Sequence, residues 1–195
     1  MRKFYKTLFL AVFCLMVFFA CRTQNPRLLI KTELGDITVE VFEKKTPITA
    51  SNFLKYVDKK HFHGASFYRV VTVDNQPNNE IKIEVIQGGI RFKEGAESLP
   101  PVEHETTDKT GVLHKDGVIS MARDKPGTAS SEFFICVGDQ PELDYGGKRN
   151  PDGQGFAAFG RVVKGMDVVR RIHRQAEEQQ MLTPRIKIQS ITRIK

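Results

Sequence analysis

The sequence predicts a mainly β fold, an antiparallel barrel with helical caps, on three observations. Short apolar runs, several with a period of two, recur along the chain between Gly, Pro and Asn turns. Only two segments, far apart in the chain, lengthen to a helical period. Beyond an N-terminal stretch of different character, the rest of the 195-residue chain is long enough for one domain with a real core.

Leu28-Leu29-Ile30 and Ile37-Thr38-Val39-Glu40-Val41 flank Leu34-Gly35-Asp36 and predict a β-hairpin. From Thr46-Pro47 to Asp58 the period lengthens, with Phe53, Leu54 and Val57 on one face, so a first helix starts at Pro47 or Thr49. Gly64-Ala65 breaks the chain and Ser66-Phe67-Tyr68-Arg69-Val70-Val71 resumes as a strand. Asp74 to Asn79 is a turn. Ile81, Ile83 and Val85 then alternate with Lys82 and Glu84, predicting a strand that runs into Gln87-Gly88-Gly89. Residues 117–122 and 133–137 read as buried strands. Residues 138–155 hold five glycines and two prolines with almost no apolar periodicity, and a loop of that length in a compact domain is often functional. A strand through Phe159 and Val162-Val163, a second helix over Met166 to His173, and a closing strand through Ile186, Ile188 and Ile191 complete the series.

Residues 1–7 carry three basic side chains and no acid, and Leu8 through Ala20 are uncharged and overwhelmingly apolar, the pattern of an export signal. Thirteen helical residues span only about 20 Å against roughly 30 Å of hydrocarbon, so a permanent membrane span is the poorer reading. Phe18-Phe19-Ala20-Cys21 resembles a bacterial lipoprotein processing site, with Cys21 as lipid attachment point and Phe18 where such sites usually carry an aliphatic residue. The expected organisation is a signal peptide over 1–20, a polar tether over 21–27 and one domain over 28–195. A lipid-anchored protein on the periplasmic face of a bacterial membrane is expected, with soluble periplasmic or secreted protein as the alternative after ordinary cleavage near Ala20.

Setting aside Arg2, Lys3 and Lys6 from the 30 basic residues leaves 27 against 23 acidic ones, which argues against a nucleic-acid partner. The cluster Arg170-Arg171-Ile172-His173-Arg174 falls at an expected helix end, where cations answer the helix dipole on a solvated face. Cys136 is the one cysteine left inside the domain, in the apolar run Phe133-Phe134-Ile135-Cys136-Val137, and reads as a packing residue.

The sequence holds no Gly-x-Ser-x-Gly, no phosphate-cradling Gly-Lys-Ser/Thr loop and no cysteine pair at zinc spacing. His61 and His63 lack a completing ligand set nearby, so no metal is expected. What remains is Arg69 in the apolar strand Phe67-Tyr68-Arg69-Val70-Val71, since arginine is seldom buried without a partner. A guanidinium at the edge of an apolar trough suits a reaction that needs a fixed donor and no nucleophile.

The motifs Phe67-Tyr68-Arg69-Val70-Val71, Gln87-Gly88-Gly89, Gly117-Val118-Ile119-Ser120-Met121-Ala122-Arg123, Ser131-Glu132-Phe133-Phe134-Ile135, Leu143-Asp144 and Phe156 through Met166 follow one another in the order found in the cyclophilins, and the chain over about residues 28–194 resembles that family of peptidyl-prolyl cis/trans isomerases. The resemblance implies a closed eight-stranded antiparallel β-barrel capped by two α-helices. It implies Arg69 as the catalytic arginine and Gln87 as the glutamine orienting it. Phe134 becomes the floor of a proline pocket with Leu143 on its wall, and Ala122 and Arg123 the pair whose backbone meets the peptide. Phe156 stands where many relatives have histidine, Val85 and Glu84 where methionine and phenylalanine are common. Glu132 replaces a substrate-facing glutamine and Glu142 an aromatic residue, so a more acidic, less apolar groove is expected.

By the same resemblance the chain binds proline-containing segments of unfolded or exported proteins, as a monomer and without a cofactor. The alternative is a non-catalytic proline-peptide-binding or assembly module on the same scaffold, because fold alone does not decide function.

Overall fold

The computed structural model describes residues 24–194. Eight strands close into an antiparallel barrel: β1 (Arg27–Thr32), β2 (Gly35–Val41), β3 (Ala65–Val71), β4 (Val85–Gly89), β5 (Val118–Met121), β6 (Phe133–Cys136), β7 (Ala157–Lys164) and β9 (Met181–Ile194). Their order around the barrel is β1-β2-β7-β5-β6-β4-β3-β9, and pairing of β9 back onto β1 leaves no free edge among them. The two-residue β8 (Glu177–Glu178) extends β9 as a small hairpin. The predicted barrel and its eight strands are therefore present.

Helix α1 (Pro47–Asp58) begins on a proline, which suits the first turn because its missing N–H has no partner there anyway. It lays Phe53, Leu54 and Val57 into the core, as the periodicity predicts. Phe53 meets Phe62, Phe133 and Phe159 at ring-centroid distances of 5.0, 5.3 and 4.9 Å. Helix α3 (Met166–His173) buries Val168, Val169 and Ile172 against the barrel. Arg170 and Arg171 stay toward solvent, Arg170 paired to Asp116 at 2.6 Å, in accord with a solvated face, whereas His173 of the same cluster is buried with Nε2 bonded to the Val71 carbonyl at 2.9 Å. A single turn, α2 (Thr107–Thr110), lies in the connection before β5 and has no sequence signal long enough to announce it.

Three expectations need correction. The strand predicted from Ile81 begins only at Val85, because the buried Gln76 side chain takes the place of a neighbouring strand. Its amide donates to the Ile83 carbonyl at 2.8 Å, and its oxygen accepts from the Ile83 N–H at 3.4 Å. The alternation of Ile81, Ile83 and Val85 thus reports burial without a β-ladder. The closing strand begins five residues before Ile186, at Met181, because β9 serves β3, β1 and β8 along its length. Within the expected tether, Arg27 already opens β1, the Pro26 carbonyl accepts from Val41, and Asn25 donates to Glu40 at 3.1 Å. The signal peptide over 1–20 and Cys21 lie outside the described residues.

Candidate active site

A groove of about 550 Å³ runs over β3, β4, β5 and β6, and it is lined by the catalytic and substrate-binding candidates Arg69, Val85, Gln87, Ala122, Arg123, Glu132, Phe134, Leu143 and Phe156, but not by Glu84 or Glu142. The register of β3 slips between Phe67 and Arg69 against both β4 and β9. Such a bulge leaves an extra residue, here Tyr68, and re-aims its neighbour's side chain. Phe67 and Val70 on either side pack into the core, while Tyr68, though buried, and Arg69 both line the groove.

The Arg69 guanidinium is held by two carboxamides. Its Nη1 donates to Gln87 Oε1 at 2.9 Å, while Nε and Nη2 donate to Gln180 Oε1 at 3.1 and 2.5 Å. Each carboxamide is itself fixed, Gln87 Nε2 donating to the Tyr68 hydroxyl and Gln180 Nε2 to the Asn75 carbonyl, both at 2.9 Å. Among the described residues no carboxylate pairs with Arg69, so its charge is undiminished. Burial, then the neighbouring Arg149, press its pKa down, yet arginine remains protonated at any physiological pH. Of its five N–H groups three are used, leaving one on each terminal nitrogen. Gln180 lies 111 residues from Arg69 in the turn between β8 and β9, and nothing in its surroundings in the sequence marks it.

The floor of the groove is apolar. Phe134 packs with Val71, Ile83, Val85, Cys136 and Leu143, and Ala122 and Phe156 close over them. Phe156 meets the Phe134 ring edge-on at 5.3 Å and 88°. His114 stacks on Phe134 at 5.9 Å and 16°. His114 is in turn bonded to Asp144 Oδ1 at 2.7 Å through Nδ1 and to Ser120 Oγ at 2.9 Å through Nε2. This Ser-His-Asp series has the spacing of a hydrolytic triad, but Ser120 is fully buried and does not line the groove. It braces the phenylalanine instead of attacking anything. Leu143 reaches the floor from a 3-10 turn (Pro141–Leu143) inside the long loop. Gly155 lets that loop return, with φ at +61° and with the Leu143 carbonyl 2.5 Å from where a Cβ would sit. Cys136 is buried in this cluster and its thiol is pushed up by desolvation, so it is inert packing, as the sequence predicts.

The expected acidic groove is not found. Ile83, and not Glu84, joins the floor, and Glu142 lies off the groove with its carboxylate accepting the Lys148 N–H at 2.8 Å. Glu132 does line it, but Oε1 accepts from the backbone of Ile90 and Arg91 at 2.9 and 3.1 Å and from Ser131 Oγ at 3.0 Å. It also sits against the α-carbon of Gly89, at φ +150°, where a side chain would displace it. Burial and then the Glu132 charge push the Tyr68 hydroxyl well above its usual pKa, so Tyr68 stays a neutral hydrogen-bonding group. Against Glu132 and Asp124 the groove presents four arginines, Arg69, Arg91, Arg123 and Arg149.

The side chain of Arg123 matters more than the resemblance implies. It is 1% exposed and pairs with Asp152 through Nη1 at 2.6 Å and Nη2 at 2.9 Å, and with the Gly155 carbonyl through Nε and Nη2 at 3.0 and 2.6 Å. Its guanidinium also lies 5.2 Å over the Phe156 ring. The side chain thereby ties the long loop to the end of β5. Arg123→Ala is expected to cost ~2 kcal/mol of stability, because several charge-assisted bonds go at once, and to speed amide exchange in residues 150–156. Hydrogen exchange read by mass spectrometry checks both. The Asp152 carboxyl is pulled down to about 2, first by the Arg123 hydrogen bond and next by the Gln154 N–H. A depressed folded pKa stabilises above the ordinary value of 3.8 and ceases to do so as pH falls through the folded one. The loop should therefore loosen between about pH 4 and pH 2, and Asp152→Asn should remove that dependence.

Comparison with known proteins supplies independent findings. The model of the family "Cyclophilin type peptidyl-prolyl cis-trans isomerase/CLD" matches residues 27–193. A peptidyl-prolyl cis-trans isomerase of Acinetobacter baylyi is 37% identical over 152 residues, covering 76% of this chain and 72% of that protein. Peptidyl-prolyl cis-trans isomerase B of Escherichia coli is 33% identical over 145 residues, covering 72% and 80%. A crystal structure of a Cryptosporidium parvum cyclophilin type peptidyl-prolyl cis-trans isomerase, obtained in the presence of the dipeptide Ala-Pro, superposes with a TM-score of 0.69 at 21% identity, covering 87% of this chain and 99% of that one, a likeness of fold.

Proposed function

This chain belongs to the cyclophilin-type peptidyl-prolyl cis-trans isomerases, and we propose that Arg69 is its catalytic residue, in an enzyme exported and held at a membrane surface through Cys21. It catalyses rotation about Xaa-Pro bonds. The barrier to that rotation is about 18–20 kcal/mol because the nitrogen lone pair is shared with the carbonyl; the X-Pro imide differs in its small cis/trans energy gap. A donor that engages the lone pair as the nitrogen pyramidalises is bonded more strongly in the twisted transition state than in either planar state, which is the condition for catalysis.

One observation carries the assignment: a charged guanidinium immobilised by two neutral amides, with an N–H to spare on each terminal nitrogen, beside an apolar floor. Phe134, Val85 and Leu143 hold the proline ring, Phe156 and Glu132 bound its ends, and the Ala122–Arg123 backbone pairs with the peptide. Gln87 and Gln180 are positioning residues. No electron or group carrier enters such a step.

A protease-coupled assay on a Xaa-Pro peptide tests the reading. Accelerated cis/trans exchange is expected, whereas peptide affinity without acceleration would make the chain a binding module.

Export and anchoring rest on the basic residues 1–7, the apolar run to Ala20 and the cysteine that follows. Among the described residues no helix is long and apolar enough to cross a membrane. The mature protein is expected to begin at Cys21, to carry the added mass of acyl chains and to partition with membranes. Mass spectrometry of its N-terminus checks this, and an unmodified terminus near Cys21 would leave a soluble periplasmic or secreted protein.

A further inference from the structure

Resting on the isomerase reading of this groove, we propose that it selects substrates with an acidic residue adjacent to the proline, recognised by Arg149 and Arg91 beside Arg69. The four groove arginines are not equivalent. Arg123 is neutralised by Asp152 in a two-bond pair. Arg69, Arg91 and Arg149 pair with no carboxylate among the described residues. Glu132 and Asp124 also line the groove and keep their charge, but among the described residues neither forms an ion pair with Arg69, Arg91 or Arg149: Glu132 Oε1 is turned to the backbone N–H groups of Ile90 and Arg91, and Asp124 is exposed.

Arg149 is built into place. Its Nη1 donates to Gln76 Oε1 at 2.8 Å and to the Ile81 carbonyl at 2.6 Å. Gln76 is 1% exposed and is itself anchored on the carbonyls of Thr72 and Ile83 at 2.6 and 2.8 Å. Neutral acceptors therefore hold the cation while its charge and the N–H groups of Nε and Nη2 remain available. The segment 72–82 and the long loop meet to make this support, so both excursions from the barrel end in one guanidinium at the groove. Like charges gathered in a partly desolvated cleft repel, and the partner that relieves them is a carboxylate, which arginine binds through two parallel hydrogen bonds. A substrate side chain entering beside the proline brings one; a lysine there adds to the repulsion.

The test is a ladder of peptides with Glu, Gln or Lys before the proline, and a second ladder with the same residues after it. At low salt, kcat/KM in at least one ladder is expected to fall from Glu to Gln by about fivefold, with Lys lowest. The Glu-to-Gln ratio, read within each enzyme, should shrink toward one in Arg149→Gln and in Arg91→Gln, and at high salt for the wild type. Equal rates for Glu and Gln in both ladders overturn the proposal, as does a preference that survives both substitutions. Peptide affinities from NMR titration give the same ratios independently of turnover. A wild type that turns over none of the peptides yet binds Glu best refutes the isomerase assignment and leaves the acidic preference standing.

Discussion

Replacing Arg69 by alanine is expected to lower kcat/KM on a Xaa-Pro peptide by about 10²–10³, the usual consequence of removing one preorganised donor to a developing charge. The far-ultraviolet spectrum and thermal midpoint should stay near those of the wild type. Among the described residues Arg69 bonds to the Gln87 and Gln180 side chains alone; Gln87 lines the groove and Gln180 is half-buried, so water can take the vacated places. Arg69→Lys should recover little, although it keeps the charge. An ammonium is a point donor and cannot bridge two carboxamides while presenting further N–H groups in the same plane. Chymotrypsin-coupled kinetics on the three proteins measures this, and near wild-type rates in the alanine variant would remove Arg69 from the mechanism.

Phe53→Ala should have the opposite profile. Phe53 is fully buried at the centre of the aromatic cluster, with its ring 4.9 to 5.3 Å from those of Phe62, Phe133 and Phe159. Deleting such a ring costs about 3–5 kcal/mol, from lost transfer free energy and from the cavity that three rigid neighbours cannot fill. For a domain of this size that corresponds to a fall in thermal midpoint of roughly 10 °C. Because Phe53 does not line the groove, turnover at temperatures well below the new midpoint should be almost unchanged. Calorimetry and the peptide assay on one preparation separate the two effects: loss of rate without loss of stability for Arg69, and the reverse for Phe53.

The residues that position the chemistry differ in how visibly the chain announces them. The β1–β2 hairpin, α1 and α3 are legible because burial on one face writes a local period, and Phe53, Leu54 and Val57 carry it. Arg69 stands out as a cation within an apolar strand, and the ordered motifs identify the groove's other walls. The same local logic misleads at Ile81–Val85, where alternating burial is satisfied by the Gln76 amide, and at Glu84, which the floor passes over for Ile83.

Periodicity and turn chemistry, which act within a few residues, are enough to read a barrel and its two long helices from the chain, and the resemblance of its ordered motifs to the cyclophilins indicates which segments carry the groove. That Gln180 shares Arg69 with Gln87, that Arg123 clamps Asp152 and Gly155, and that Arg149 is held at the groove by Gln76 comes from contacts made across the fold. The contacts that Gln180, Asp152, Gly155 and Gln76 make with these arginines join residues that stand 29 to 111 positions apart. Their meeting is set by how β3, β9 and the long loop close around one another, and no local pattern in the chain records where a closed barrel brings its ends together.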